Sequence, residues 1–139
     1  MSYSLGVWQA LLATVFVADK VRAGDFEFVP TSRLSEDLAI PAPSLSRLLR
    51  ALSGAGIIET REGARGGVRL ARDPSAVTLL DVVDAIDGEM PLFRTDATPR
   101  VRGRIPRRRQ KALRDALGDA GQSMRESLRE VTIESISQR

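Results

Sequence analysis

The feature that most constrains this chain is a pair of leucine-rich helical segments separated by prolines. Apolar residues spaced by three and four predict one helix before the break and one after it, at Leu34, Leu38, Leu45, Leu48, Leu49 and Leu52. The segment Ile40-Pro41-Ala42-Pro43 interrupts this pattern, because proline lacks the amide proton that a helix interior needs. The sequence therefore predicts a helix-turn-helix, a unit that can place its second helix in the major groove of DNA.

A glycine-rich hairpin is predicted directly after these helices. Two β-prone arms, Ile57-Ile58-Glu59-Thr60 and Val68-Arg69-Leu70-Ala71, flank residues 61–67, which supply the glycines that a tight loop needs. A hairpin in this position is typical of the wing of a winged helix, which contacts the DNA backbone or the minor groove. Sequence-specific binding to double-stranded DNA is therefore the leading hypothesis.

The second helix of the pair is the predicted recognition helix. Its leucines occupy one face, which leaves the outward positions to Ser44, Ser46, Arg47 and Arg50. Arg47 can donate two hydrogen bonds to guanine and Ser46 can bond any base edge, whereas Ser44 and Arg50 are expected to hold phosphates. The alternative is an ordinary solvent-exposed helix face.

The hairpin carries three arginines, Arg61, Arg65 and Arg69, and Arg65 is predicted to lie at its tip. A guanidinium carried on glycines can enter the negative potential of a narrow minor groove. Glu62 is expected to turn away or to pair with a neighbouring arginine. The alternative is a solvated hairpin tip without a partner.

The first helix is predicted over residues 5–20, with an apolar stripe that should close the domain core. The stripe consists of Leu5, Trp8, Leu11, Leu12, Val15 and Phe16. Phe26 to Val29 is expected to be extended and to pair with the wing. Thr31 or Ser32 is expected to cap the following helix.

Another helix is predicted after the wing and should pack against the first helix. Ser75 is expected to cap it and Asp87-Gly88 to end it. Its apolar stripe is Val77, Leu80, Val83 and Ile86.

The C-terminal part is predicted to be a linker followed by one long helix. Met90 to Pro106 contains three prolines and few apolar residues, as a loop or mobile linker does. The helix from Arg107 to Val131 would be roughly 35–40 Å long at about 1.5 Å per residue, too long for this small core to cover. Its apolar seam, which a second copy is expected to cover, is Leu113, Leu117, Ala120, Met124, Leu128 and Val131.

These elements predict a mainly α fold with a small β-wing. We divide the chain into a winged helix-turn-helix domain at 1–89, a basic linker at 90–106, and a dimerisation helix with a C-terminal tail at 107–139. Gly118 and Gly121 should weaken the long helix unless they permit close approach of a neighbouring helix.

Seven positive charges fall within twelve residues around the start of the long helix. They are Arg100, Arg102, Arg104, Arg107, Arg108, Arg109 and Lys111. Such a cluster releases counterions when it contacts phosphates. A soluble linker whose charge prevents aggregation is an equal alternative.

Composition excludes several classes of site. The sequence has no cysteine and no histidine, which removes disulfides, thiolate catalysis, zinc fingers and the usual ligands of iron-sulfur clusters. Asp81, Asp84 and Asp87 lie one helical turn apart without a nucleophile or metal partner, so we predict no enzyme activity and no cofactor. No long apolar run or signal-like segment occurs, and we expect a cytoplasmic protein without a membrane partner.

Two adjacent segments resemble a known bacterial group, the Rrf-type winged-helix regulators that include IscR, NsrR and CymR. Gly63-Ala64-Arg65-Gly66-Gly67-Val68-Arg69-Leu70-Ala71-Arg72 is similar to the wing of that group, and Val77 to Gly88 is similar to its next helix. Leu45 to Ile58 resembles its recognition helix, and Val131-Thr132-Ile133 resembles the end of its dimerisation helix.

The resemblance implies a homodimeric repressor on a palindromic operator, with crossed long helices and two wings astride the site. It places the base contacts on Ser44, Ser46 and Arg47. The wing arginine of the group falls on Glu62 here, so that contact is lost or passed to Arg61 or Arg65. Many relatives hold an iron-sulfur cluster with cysteines that this chain lacks, which leaves a small ligand, a protein partner or no effector.

Two other functions compete with a DNA-binding repressor. One is a winged-helix module whose recognition helix binds a protein. The other is a ligand-sensing regulator with a pocket near Trp8, between the first helix and the long helix.

Overall fold

The computed structural model describes residues 5–97 and 105–139. The described elements are α1 (Leu5–Arg22), α2 (Thr31–Leu38), α3 (Ala42–Gly54), β1 (Ile58–Arg61), β2 (Gly67–Leu70), a 3₁₀ turn (Pro74–Ala76), α4 (Leu79–Asp87), α5 (Arg107–Arg129) and α6 (Ile133–Ser137). The mainly helical fold with a two-stranded wing and a long C-terminal helix is thus confirmed.

Helix α1 is the centre of the core, and its buried face differs from the predicted one. It packs against α3, α4, α6 and β2 through small residues, namely Val7, Ala10, Ala13, Thr14, Val17 and Ala18. Small side chains let several elements approach one helix closely. The predicted stripe was wrong: none of its six residues is among the buried ones, Leu5 is 68% exposed and Trp8 is 58% exposed, and the other four are half-buried.

Helices α2 and α3 form the predicted helix-turn-helix. Ala39 ends α2 in the left-handed conformation with φ 52°, and the Ser35 hydroxyl donates to the Ile40 carbonyl at 2.6 Å. Pro43 lies in the first turn of α3, as predicted. The predicted Thr31 or Ser32 cap was wrong: Pro30 precedes α2 and no side chain caps it.

The wing is an antiparallel pair in which Ile58 lies opposite Leu70 and Arg61 opposite Gly67. The predicted pairing of the preceding extended segment with the wing is confirmed, because Val29 and Val68 exchange two backbone hydrogen bonds of 2.8 and 2.9 Å. Gly67 has φ 149°, and a Cβ there would overlap the Val29 carbonyl. Glycine is therefore required where the wing meets this segment.

Helix α4 begins later than predicted. The Thr78 hydroxyl accepts from the Asp81 amide at 3.0 Å and the Asp81 carboxylate accepts from the Thr78 amide at 2.9 Å, which is a capping box. Ser75 lies in the preceding 3₁₀ turn, where Asp73 is the cap. The predicted Ser75 cap was therefore wrong, while the predicted packing of α4 on α1 and the end at Asp87 are confirmed.

The chain returns to the core after α5. The Ile133 amide donates to the Val77 carbonyl and the Leu79 amide donates to the Val131 carbonyl, both at 2.9 Å. Ile133 is fully buried. The C-terminal residues therefore complete the core of the winged helix.

None of the helices in the described ranges is both long enough and apolar enough to cross a membrane.

Candidate nucleic-acid interface

Helix α3 presents a polar, cationic face outside the core. Its four leucines, Leu45, Leu48, Leu49 and Leu52, are buried, whereas Ser46, Arg47 and Arg50 are exposed. In the ranges 5–97 and 105–139, neither arginine forms an ion pair. Both guanidiniums are therefore available for a polyanion.

Ser44 differs from the other predicted contact residues because it is half-buried. It lies with Arg47 in a cleft of about 430 Å³ that is also lined by Gly6 and Gln9 of α1. The sequence analysis missed these two α1 residues. Neither lies on an apolar stripe, so periodicity gave no signal for them.

Arg65 lies in the turn of the wing loop and is exposed. Gly63, two residues earlier, has φ 100°, a conformation that side chains rarely adopt. No ion pair involves Arg65 among the described residues. Its position agrees with the predicted tip of the wing.

Arg61 lies at the loop end of β1 and Arg69 lies in β2, and both have partners within the chain. Arg61 Nη2 donates to Glu27 Oε1 at 2.7 Å, and Arg69 donates through Nε to Glu59. Both guanidiniums lie over the ring of Phe28, 4.0 and 4.4 Å from its centroid, a favourable cation–π arrangement. We call Glu27, Phe28, Glu59, Arg61 and Arg69 the wing-base cluster.

The hydrogen bond and the charge of Arg61 lower the pKa of Glu27 below its ordinary value of 4.5. The carboxylate therefore stays ionised at neutral pH. Sequence analysis missed Glu27 and Phe28 as members of this cluster, because they lie more than thirty residues before Arg61 in the chain.

A groove of about 460 Å³ separates the start of α2 from the wing loop. Thr31, Ser32, Thr60 and Arg61 line it. Glu62 also lines it, so three hydroxyl-bearing residues, one arginine and one carboxylate border the groove.

The predicted dimerisation seam on α5 divides into two parts. Leu113 is 63% exposed, whereas Leu117 and Met124 are half-buried and line a cavity of about 520 Å³ between α5 and residues 90–96. Leu128 and Val131 are also half-buried. Part of the seam therefore faces the polypeptide's own linker.

The described part of the linker lies along α5. Leu92 is the nearest neighbour of Gly121, where a Cβ would lie 3.5 Å from the leucine side chain, and Arg114 Nε donates to the Thr95 carbonyl at 3.1 Å. Within the chain, the residue that approaches Gly121 belongs to the linker; the neighbouring helix expected there stays a prediction. Trp8 does not line this cavity. The cavity is therefore not the ligand pocket that the sequence suggested near Trp8.

The basic cluster is only partly described. Arg107, Arg108 and Arg109 are exposed at the start of α5, and Lys111 pairs with Asp115 at 2.6 Å. Arg100, Arg102 and Arg104 lie outside the described residues.

Comparison with known proteins identifies the group to which this fold belongs. The family profile for Rrf2, described as "Iron-dependent Transcriptional regulator", matches residues 7–139. The chain belongs to the Rrf2 family of transcriptional regulators.

Solved structures agree with the Rrf2 fold. CymR, the global cysteine regulator of B. subtilis, superposes with a TM-score of 0.73 at 20% identity, over 99% of this chain and 97% of CymR. IscR of T. potens gives a TM-score of 0.73 at 18% identity, over 99% of this chain and 87% of IscR. At sequence identities this low, the similarity to CymR and IscR shows a shared fold and nothing more.

A curated relative from Aquifex aeolicus (strain VF5), provisionally named an HTH-type transcriptional regulator, is 29% identical over 84 residues. The matched part is 60% of this chain and 56% of the relative. This chain spans about half the length of this relative and of the next one from Synechocystis.

The iron dependence in the Rrf2 description does not fit the donor atoms of this chain. The sequence contains no cysteine and no histidine, which are the usual protein ligands of iron-sulfur clusters. Within the described ranges, carboxylates also do not form a group of three or more that could hold a metal ion. The residues present therefore do not match an iron or iron-sulfur site.

Proposed function

We propose that this Rrf2-family protein is a cytoplasmic bacterial repressor that binds a palindromic DNA operator as a homodimer. The observation that carries the proposal is the free cationic surface on the two DNA-reading elements of a winged helix. Arg47 and Arg50 on α3 and Arg65 on the wing are exposed, and no ion pair neutralises them in the part of the chain that the structure describes.

The roles of these side chains follow from their positions. Arg47 and Ser46 read base edges in the major groove, because they lie on the exposed face of the first turns of α3. Ser44 and Arg50 contact phosphates on either side of that face. Arg65 enters the minor groove from the wing tip.

Homodimer formation accounts for the apolar surface outside the core. Helix α5 has 23 residues and none of them is buried. Large apolar side chains are exposed on α5 at Leu113 (63%) and on α1 at Leu5 (68%) and Trp8 (58%). A second copy that covers these side chains removes an apolar surface that a monomer would leave in water.

Two-fold symmetry links the dimer to the operator. Two recognition helices related by a two-fold axis meet half-sites about one DNA turn apart, roughly 34 Å, and such a site is an inverted repeat. A dimer bound over a promoter blocks transcription without any chemistry.

Binding to duplex DNA at several salt concentrations tests the proposed function. We expect a dimer by analytical ultracentrifugation and an affinity that falls steeply with salt, because phosphate contacts release counterions. Failure to bind any duplex at low salt would contradict the proposal and favour the protein-interaction module. The double variant with Arg47→Ala and Arg50→Ala is the control and should bind duplex DNA weakly.

A further inference from the structure

The wing-base cluster holds two arginines that would otherwise add to the DNA-binding charge. Glu27 Oε1 accepts from Arg61 at 2.7 Å and lies 3.6 Å from Arg69 Nη1. Arg69 has a second carboxylate partner in Glu59. Glu27 is therefore the only carboxylate among the described residues that pairs with Arg61.

Arg61 is placed where a DNA phosphate would be able to reach it. It lies next to the wing loop and lines the groove that is also lined by Thr31, Ser32, Thr60 and Glu62. The side chain of Arg61 is 41% exposed and that of Glu27 is 64% exposed. Solvent thus reaches both partners, and the ion pair can exchange with an outside anion.

A phosphate and a carboxylate compete for the same guanidinium donors. Both anions accept paired N–H bonds from the planar fork of arginine. The ring of Phe28 lies under the guanidinium, with its centroid 4.0 Å from the guanidinium carbon, so the anions compete for the N–H groups at the edge of the guanidinium. The ionised Glu27 carboxylate therefore occupies donors that a phosphate would need.

We propose that Glu27 keeps Arg61 from the DNA backbone and thereby limits the affinity of the protein for non-specific DNA. The inference rests on the proposed DNA-binding function. Sequence-independent phosphate contacts supply most of the non-specific affinity, so one withheld contact improves the ratio of specific to non-specific binding. Glu27 is thus a specificity-determining residue that does not itself touch the operator.

The test compares wild type with Glu27→Gln on a fluorescent random-sequence duplex between about 50 and 200 mM salt, a range over which phosphate contacts change the affinity strongly. Glutamine has the same shape but cannot hold the guanidinium as an ion pair. We expect a slope of log affinity against log salt that is steeper by about 0.9, the value of one added phosphate contact. If the affinities of the two proteins converge at about 1 M salt, this slope corresponds to roughly an eightfold gain in non-specific affinity at about 0.1 M salt.

The Arg61→Gln background separates release of Arg61 from simple loss of a negative charge. If Glu27 acts through Arg61, the Glu27→Gln change has no effect on the slope when Arg61 is already Gln. A steeper slope in that background would overturn the proposal, because the charge alone would then explain it. An unchanged slope in the single variant would also overturn it.

Circular dichroism checks that the wing variants remain folded. If Glu27→Gln proves unfolded, Glu27→Asp replaces it, since the shorter side chain retains the charge but withdraws the carboxylate from Arg61. Loss of affinity in a folded variant would show that Glu27 only positions the wing and would contradict the proposal. Absence of salt-dependent binding in wild type as well would overturn the proposed function itself, whereas failure of this inference alone leaves wild-type binding intact.

Discussion

Arg125 and Asp84 join the long helix α5 to α4 through two parallel hydrogen bonds of 2.8 and 2.9 Å. Their side chains are only 23% and 22% exposed, so this is the type of paired guanidinium–carboxylate contact that geometry makes strong. Because α4 packs on both α1 and α3, the pair connects α5 to the part of the core that carries α3.

Removal of this contact should destabilise the fold. We expect Arg125→Ala to lower the free energy of unfolding by about 2 kcal/mol, because Asp84 is left partly buried without its charged donor. Arg125→Lys should lower the free energy of unfolding less, since lysine keeps the charge but lacks the planar fork of arginine. Denaturant unfolding at one fixed protein concentration measures both.

The exposed pair Lys111–Asp115 on α5 is the matched control for that experiment. Its Lys111 side chain is 77% exposed, and surface pairs of this kind contribute little. Lys111→Ala should therefore leave the denaturation midpoint unchanged. Equal effects of the Arg125 and Lys111 variants would contradict a special role for the Arg125–Asp84 pair.

Arg47 and Arg50 should differ in how they contribute to DNA binding. Arg47→Ala should cost about 1 to 3 kcal/mol on the operator and relax the preference at one base pair, since it reads a base edge. Arg50→Ala should weaken binding to all duplexes alike, and it should reduce the slope of log affinity against log salt by about 1, as loss of a phosphate contact does. Fluorescence anisotropy on operator and random duplexes measures both quantities.

If Arg47→Ala lowers the affinity for random DNA as much as the affinity for the operator, Arg47 contacts a phosphate and not a base edge. A loss of base preference in the Arg50 variant would reverse the two roles.

The proposed dimer surface can be tested at a residue that the monomer does not need. Leu113 is 63% exposed, so Leu113→Glu should leave the fold intact while placing a charge in the interface. We expect monomers by analytical ultracentrifugation and retained helicity by circular dichroism. Leu117 and Met124 make a less direct test, because they also contact the cavity beside residues 90–96.

Ser123→Glu, at an exposed polar position of the same helix, is the control and should remain dimeric. A Leu113→Glu protein that stays dimeric would exclude the outer part of the α5 seam.

The wing-base cluster predicts a pH-dependent contribution to stability. Arg61 lowers the pKa of Glu27, first by its hydrogen bond and then by its charge, so the ionised carboxylate favours the folded protein. This contribution is present above the ordinary glutamate pKa of 4.5 and is lost as the pH falls through the lower pKa of the folded state. Carboxyl ¹³C NMR titration should place the Glu27 midpoint below 4.5.

Arg61→Gln should raise the Glu27 midpoint in that titration. Asp73 is the internal control, because the hydroxyl and amide of Ser75 lower its pKa and Arg61 has no part in that shift. A Glu27 midpoint that does not move in the variant would show that Arg61 is not its partner in solution.

Local patterns made the winged helix predictable from the sequence. The leucine spacing and Pro43 predicted the two helices, and the glycines around Arg65 predicted the wing. Each of these signals acts within a few residues of the chain. The Thr78 cap was missed because Ser75 is also a good cap by type. Both residues are possible caps in the sequence, and the fold shows that Thr78, whose partner Asp81 lies three residues later, is the one that caps α4.

Long-range packing explains the remaining errors. Leu5 and Trp8 look like core residues because periodicity cannot distinguish an apolar face toward the core from one outside it. The sequence predicted that the segment from Phe26 to Val29 pairs with the wing, but it gave no sign that Glu27 within this segment contacts Arg61. The sequence therefore predicted Arg65 at the tip of the wing but gave no sign that Arg61 and Arg69 have partners within the chain.

Selection of bound fragments from the genomic DNA of the source bacterium, at near-physiological salt, tests the central claim most directly. We predict recovery of a short inverted repeat whose half-sites lie about one DNA turn apart, roughly 34 Å, upstream of a small set of genes. Recovery of fragments without a shared motif would contradict a sequence-specific repressor, because only charge-driven binding would remain.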